Sequence, residues 1–231
     1  MANNDNPFGV ESPENFEQKS ICCFVLDVSG SMNGQPIDEL NRGLQEFHSE
    51  IVSDPISSNR LEVAIITFDS TVNLVLEPSL VDNFNMPTLT TKGSTKLVDG
   101  VREGIRIVED RKNWYKQTGQ PYLRPWIILV TDGFPDFDQD VDSLQLEIEQ
   151  ASNEKKFVFL PIGVGGADMS ILNKISGSIN EKKIPAMKIQ GLKFFEFFEW
   201  VSASMSSIAS SKEGDNINLP DPSEWMEGFK I

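Results

Sequence analysis

The chain has 231 residues, 35 acidic and 20 basic side chains, and a formal net charge of −15 at pH 7. That charge, with a pI near 4.5, excludes a phosphate-backbone partner, which needs a basic face, and adsorption to anionic membranes. Its hydrophobic and charged shares, 39% and 24%, are those of a soluble globular protein, large enough to hold a core without disulfides or structural zinc.

Residues 1–17, with Pro7, Gly9 and Pro13, read as a polar lead-in. They lack the basic start and apolar stretch of a signal peptide. No apolar run approaches the ~20 residues of a membrane span. These features fit a cytoplasmic protein. Residues 18–211 read as one domain, without internal repeat, and 212–231 as an acidic C-terminal tail in which Trp225 and Phe229 pin the segment to the body or to a partner.

The first strand is expected at Ser20 to Asp27, an apolar run that stops at an aspartate. Cys22 and Cys23 are adjacent on it. Neighbouring strand residues face opposite sides of a sheet, so a bond between them would be strained and both are expected as buried, reduced thiols. Pro36 opens a helix whose Ile37, Leu40, Leu44, Phe47 and Ile51 form one stripe. His48, the single histidine, lies beside that stripe and reads as a packing or surface residue.

Leu61 to Phe68 is a second strand, and Thr71 to Leu76 alternates as its hairpin partner. A second helix starts near Lys96 with Leu97, Val101, Ile105 and Val108 inward, and Arg111 to Pro125 reads as a polar link. Trp126 to Thr131 is the fourth strand, followed by a helix from about Val141 to Lys155. Phe157 to Val164 is the fifth strand, a short helix covers about Met169 to Ser176, and Pro185 to Gln190 supplies a sixth strand. The last helix spans about Lys193 to Ser210, with Phe194, Phe198, Val201, Met205 and Ile208 inward. Phe195 and Trp200 lie off that stripe and form either a docking face or a surface covered by the tail.

Continuous apolar strands alternating with amphipathic helices predict an α/β fold. It is a single doubly wound, mostly parallel sheet with helices on both faces and one antiparallel edge hairpin. In such sheets ligands gather at the carboxyl ends of the strands. Three expected loops there carry oxygen donors: Asp27-Val28-Ser29-Gly30-Ser31, Gly93-Ser94-Thr95 and Thr131-Asp132-Gly133. Asp27, Ser29 and Ser31 alone fit either a polar turn or a site for Mg²⁺, Mn²⁺ or Ca²⁺, which take hard oxygen ligands. Two strand-end aspartates facing one cleft repel each other, and a divalent cation removes that conflict.

Asp-x-Ser-x-Ser after strand one, a threonine following Gly93-Ser94, and Thr-Asp-Gly after a later strand together resemble the metal-ion-dependent adhesion site (MIDAS) of a von Willebrand factor A (vWA) domain. The resemblance covers about residues 20–210. It implies a metal site made of Asp27, Ser29, Ser31, Thr95 and Asp132, usually holding Mg²⁺, whose open position takes an Asp or Glu carboxylate from a partner. Asp136, Asp138 and Asp140 either stiffen cation binding or form a solvated acidic rim, and the rim is the favoured reading.

The stretches Val28–Met32 with Gly34–Ile37, Ile66–Asp69 and Phe194–Ser202 further resemble bacterial intracellular vWA proteins linked to tellurium resistance. That resemblance implies a stress system with a protein kinase and a PP2C-type phosphatase as partners. Those relatives often carry Gly-Gly-Thr where this chain has Gly93-Ser94-Thr95, so Ser94 is either an added donor or a stiffener.

Two other classes compete with this reading. A metal-dependent phosphoesterase or other hydrolase would need a second acid where Ser29 stands, or a base that His48 does not supply. A pure scaffold would use the metal only to lock the loops. The favoured reading is a non-enzymatic, metal-dependent binding module.

Overall fold

The computed structural model describes residues 13–179, 182–212 and 218–227. Apolar runs build a mixed sheet from β1 (Ser20–Asp27), β2 (Leu61–Phe68), β3 (Val72–Leu80), β4 (Trp126–Thr131) and β5 (Val158–Gly163). Shorter strands follow: β6 (Ser178–Ile179), β7 (Lys182–Lys183) and β8 (Met187–Lys188). The main sheet has six strands in the order β3-β2-β1-β4-β5-β8, and β6 pairs with β7 separately. β1, β2, β4, β5 and β8 are parallel, while β3 pairs antiparallel with β2 as the expected edge hairpin. All residues of β1, β2, β4 and β5 are buried, the mark of strands covered on both faces. β3 alternates half-buried with exposed positions along most of its length, as an edge strand does.

One face of the sheet is covered by α1 (Gln35–Ser53) and, beyond the short α2 (Pro55–Arg60), by the last helix. On the other face lie α3 (Leu97–Thr118), α4 (Val141–Asn153) and α5 (Met169–Ile175). The last helix, α6 (Phe194–Ser210), packs beside α1 through Phe24, Phe47 and Phe198, whose ring centroids lie 5.2–6.2 Å apart. Cys22 and Cys23 face opposite cores and are free thiols; burial raises both pKa values.

Three stretches differ from the sequence expectation. α3 does not stop near Arg111 but runs on to Thr118. The apparent polar link stays helical because Arg111, Trp114 and Tyr115 turn inward. Arg111 makes a bidentate pair with Glu62 at 2.7 Å on each arm, and the Tyr115 hydroxyl donates to Glu62 at 2.6 Å. α2 was not foreseen; Asp54 caps it by accepting from the Ile56 N–H, and Pro55 opens it. Trp200 is not a docking face. It is buried against Trp225 of the tail, centroids 5.3 Å apart, and its indole N–H donates to the Pro220 carbonyl at 2.8 Å.

The tail is pinned to the body by Trp225, as one of the sequence alternatives held; Phe229 lies outside the described residues. Met226 bridges antiparallel to Ile189, and the Gln190 N–H donates to the Trp225 carbonyl at 2.7 Å. The lead-in from Pro13 onward lies at the opposite end of the sheet, where the Lys19 ammonium is held by the Asn15, Glu17 and Asn59 carbonyls.

Candidate metal centre

Register decides what meets at the sheet edge. Asp27 is level with Phe68 on β2, and Leu26 is level with Val130, so Asp27 and Thr131 end neighbouring strands together. Beyond β1 the chain turns to α1 on one face; beyond β4 it turns to α4 on the other. This is the switch point at which an open α/β sheet forms its ligand crevice.

Three loops line that crevice, and each is tied to the other two. The Gly30 N–H donates to the Gly93 carbonyl at 3.1 Å, and the Lys92 N–H to the Val28 carbonyl at 2.9 Å. Asp136 grips the second loop, accepting from the Thr95 N–H at 3.2 Å and the Ser94 hydroxyl at 2.7 Å, while its own N–H donates to the Thr95 carbonyl at 3.0 Å. The Ser31 hydroxyl donates to Asp132 Oδ1 at 2.7 Å, joining the first loop to the third. Gly93 has φ +72°, and a side chain there would stand 2.4 Å from Ser70 Oγ, so only glycine fits this turn.

All five residues singled out from the sequence are brought to this crevice. Asp27 is fully buried; its Oδ1 accepts from the Ser29 N–H at 2.8 Å and its Oδ2 from the Thr131 hydroxyl at 2.5 Å. Ser29 and Ser31 share a hydrogen bond of 3.1 Å between their hydroxyls. Thr95 makes no direct contact with the others, but a Cβ placed on Gly133 would be 3.3 Å from Thr95 Oγ1 and 3.5 Å from Asp27 Oδ2. Both oxygens therefore border the space over Gly133, which stays open because that residue has no side chain.

Asp27 is held out of water and Asp132 is half-buried. Burial pushes the Asp27 carboxyl up to about 6, with the charge of Asp132 adding to it, against hydrogen bonds from Ser29 and Thr131 that pull it down. Burial also raises the Asp132 carboxyl, opposed by the Ser31 hydrogen bond. Among the described residues no three Asp, Glu, His or Cys side chains converge to hold an ion. The donor set is instead two carboxylates and three hydroxyls, all hard oxygen, and that chemistry fits Mg²⁺, Mn²⁺ or Ca²⁺. The residues present fit such a cation.

Several residues of this edge were missed or misread in the sequence. Thr131 orients Asp27 and also accepts from the Gly133 N–H at 3.2 Å; its place beside Asp132 was the available signal. Ser94 stiffens the loop by bonding Ser70 and Asp136. The aspartates after Asp132 are not merely a solvated rim. Asp136 clasps the Thr95 loop, Asp138 pairs with Lys96, and Asp140 caps α4 by accepting from the Ser143 N–H. His48 sits at the other end of the sheet: its Nε2 lies 3.0 Å from the Val81 carbonyl, just past Leu80, which pairs with Glu62 near the start of β2.

A doubly wound, mostly parallel sheet with an oxygen-lined crevice at its switch point places the chain among open-sheet α/β domains. The family model of the von Willebrand factor type A domain matches residues 22–193, and the chain belongs to that family. A von Willebrand factor A domain-containing protein of Dictyostelium discoideum is 23% identical over 208 residues, covering 87% of this chain. The chain spans about a quarter of that relative's length, 23%. In structure, the pilus adhesin SpaC from Lactobacillus rhamnosus GG is similar over 85% of this chain and 31% of its own, with TM-score 0.65 and 12% identity. The vWF domain of the type V pili tip protein Mfa5 from Porphyromonas gingivalis is similar over 87% of this chain and 99% of its own, with TM-score 0.58 and 10% identity. At those identities the likeness is one of fold.

Proposed function

We propose that this chain is a metal-dependent protein-binding module, in which Asp27, Ser29, Ser31, Thr95 and Asp132 hold Mg²⁺ and present it to a partner's Asp or Glu. The observation that carries the reading is that three interlocked loops link Ser29, Ser31 and Asp132 through their side-chain oxygens and set Thr95 Oγ1 and Asp27 Oδ2 beside Gly133. A bound Mg²⁺ would supply a positive, electron-poor centre for an incoming carboxylate. Asp27 and Asp132 provide the negative charge that retains it. Ser29, Ser31 and Thr95 contribute neutral oxygens, which leave more of the cation's charge for the partner. Thr131 and Asp136 act as positioning residues, fixing Asp27 and the Thr95 backbone.

We read the chain as non-enzymatic: His48, the single histidine, lies against the Val81 and Phe84 carbonyls at the other end of the sheet, away from the crevice. Among the described residues no helix is long and apolar enough to cross a membrane. We extend the reading to a cytoplasmic bacterial stress system, with a protein kinase and a PP2C-type phosphatase as partners, on the stretches Val28–Met32, Gly34–Ile37 and Phe194–Ser202 that resemble the tellurium-resistance group.

The test is calorimetric titration with Mg²⁺ and Mn²⁺ of the wild type and of Asp27→Ala and Asp132→Ala, paired with melting in EDTA and in millimolar Mg²⁺. A ligand that binds only the folded state raises Tm. Wild-type binding that both substitutions abolish supports the site. No heat and no Tm rise in a folded, chelator-stripped wild type overturns it. A partner pull-down insensitive to EDTA would leave the site a structural lock.

A further inference from the structure

We propose that Phe134 and Phe137 form an aromatic docking edge beside the metal centre, selecting a protein segment in which one Asp or Glu is flanked by large apolar side chains. The inference rests on the reading of the site given above and specifies its partner.

Phe134 and Phe137 lie on the loop that starts at Asp132, and both rings face solvent: Phe134 is 62% exposed and Phe137 fully so. A ring left in water normally accompanies a loop free to fold it away, but this loop is staked along its length. Asp136 bonds the Thr95 backbone from both its side chain and its N–H. Asp138 pairs with Lys96, and the Gln139 side chain both accepts from the Asp99 N–H at 3.0 Å and donates to the Asp99 carboxylate at 2.9 Å. Asp140 caps α4. Phe137 thus stands between two fastened residues, and Phe134 two positions beyond a candidate ligand. The rings are displayed on a rigid frame, and little ordering entropy remains to be lost when a partner covers them.

Charge chooses the occupant. Asp132, Asp136, Asp138 and Asp140 lie on the same stretch of chain as the rings, a surplus of acid that the single Lys96 pairing does not offset and that repels anionic lipid and any cluster of acids. A lone carboxylate that reaches the cation is still attracted, and apolar side chains beside it cover the rings at no electrostatic cost. A second copy of this chain is disfavoured by the net charge of −15. Covering the rings withdraws aromatic surface of the kind that dominates binding hot spots.

The experiment pans a phage-displayed random dodecapeptide library on the whole chain in Mg²⁺, with elution first by EDTA and then by acid to recover metal-independent clones. The expected clones carry a single Asp or Glu within two positions of Phe, Leu, Ile, Met or Trp. The best synthetic peptide should bind the Phe134→Ser/Phe137→Ser double variant at least about tenfold more weakly, the loss expected for leaving such side chains uncovered. That variant should keep the wild-type Tm and Mn²⁺ affinity, which separates docking from folding and from metal binding. Acid-bearing clones without apolar neighbours, bound equally by the variant, overturn the docking edge and leave the metal site standing. Clones indifferent to EDTA and to Asp132→Ala, or no clones at all, overturn the docking edge, and the metal titration above then decides whether the site is a structural lock or absent. Sedimentation of the wild type with phosphatidylcholine vesicles, lost in the double variant, would assign the rings to lipid and overturn the protein partner.

Discussion

Asp27→Asn is expected to stabilise the protein in EDTA while removing its response to metal. Asp27 is fully buried, and its carboxyl is raised from 3.8 to about 6. At about 1.4 kcal/mol per pKa unit, ionising it inside the fold costs about 3 kcal/mol relative to the unfolded chain. The sign follows from where each state releases its proton. The unfolded chain ionises near 3.8 and the folded one near 6, so stability in EDTA falls as pH rises through that window and stays low above it. The amide removes this penalty but has one acceptor oxygen where the carboxylate has two. The Ser29 N–H keeps that oxygen, and Thr131 must turn from donor to acceptor, an exchange costing about 1–2 kcal/mol. The net gain at pH 7.5 is about 1–2 kcal/mol, a Tm rise of about 2–8 °C for a chain of this size. Differential scanning calorimetry of both proteins at pH 4 and pH 7.5, with EDTA and with Mg²⁺, reads all of it. The variant should gain on the wild type only at the higher pH and only in EDTA. A variant less stable than the wild type in EDTA at pH 7.5, or a difference independent of pH, would refute the buried-charge account.

Three further outcomes are expected. Mn²⁺ affinity should fall up to about tenfold per pH unit below about 6, where a proton competes for Asp27, and level off above pH 7; titrations at pH 5.0 and 7.5 measure it. Gly133→Ala should leave stability in EDTA within about 0.5 kcal/mol of wild type, as for a change outside the core, yet weaken Mn²⁺ binding at least tenfold because its Cβ would sit 3.3 Å from Thr95 Oγ1; unchanged binding would place the cation elsewhere. Arg111→Ala should cost about 3–5 kcal/mol in urea unfolding, since it strands the buried Glu62 carboxylate, and Arg111→Met combined with Glu62→Gln should recover most of it.

Legibility in the sequence followed burial. The strands covered on both faces were readable as apolar runs, and β1 and β2 fall where the runs fall. α1 and α6 were readable from their stripes, whose members are all buried. The end of α3 was not, because its inward residues are Arg111, Lys112, Trp114 and Tyr115, and a polar core face looks like a surface link until Glu62 is known to face it. β8 is two residues long, and the segment that continues its edge arrives from the tail through Met226, far away in sequence. Asp27, Ser29, Ser31, Thr95 and Asp132 were legible because each follows a recognisable strand or glycine. The clasp by Asp136 was not: its partners, Ser94 and Thr95, lie about forty residues earlier, and nothing in an Asp-rich loop says which acid turns inward.

The division of labour at the crevice would let the fold hold the proposed cation without being built by it. The loops are joined by one set of bonds that uses no candidate ligand side chain: Gly30 to Gly93, Lys92 to Val28, and the Asp136 clasp on Thr95. A second set joins the ligand side chains to one another and to Thr131. A hydroxyl can rotate its proton away from Asp132 or Asp27 and offer a lone pair without moving its oxygen. Exchanging proton-mediated contacts for cation-mediated ones then requires rotation of hydroxyls, while the first set keeps the loops in place. Affinity at such a site is governed by the charge and burial of Asp27 and Asp132 more than by loop ordering. That is why an uncharged side chain of similar shape at position 27 is the sharper probe of the site than truncation of the loops around it.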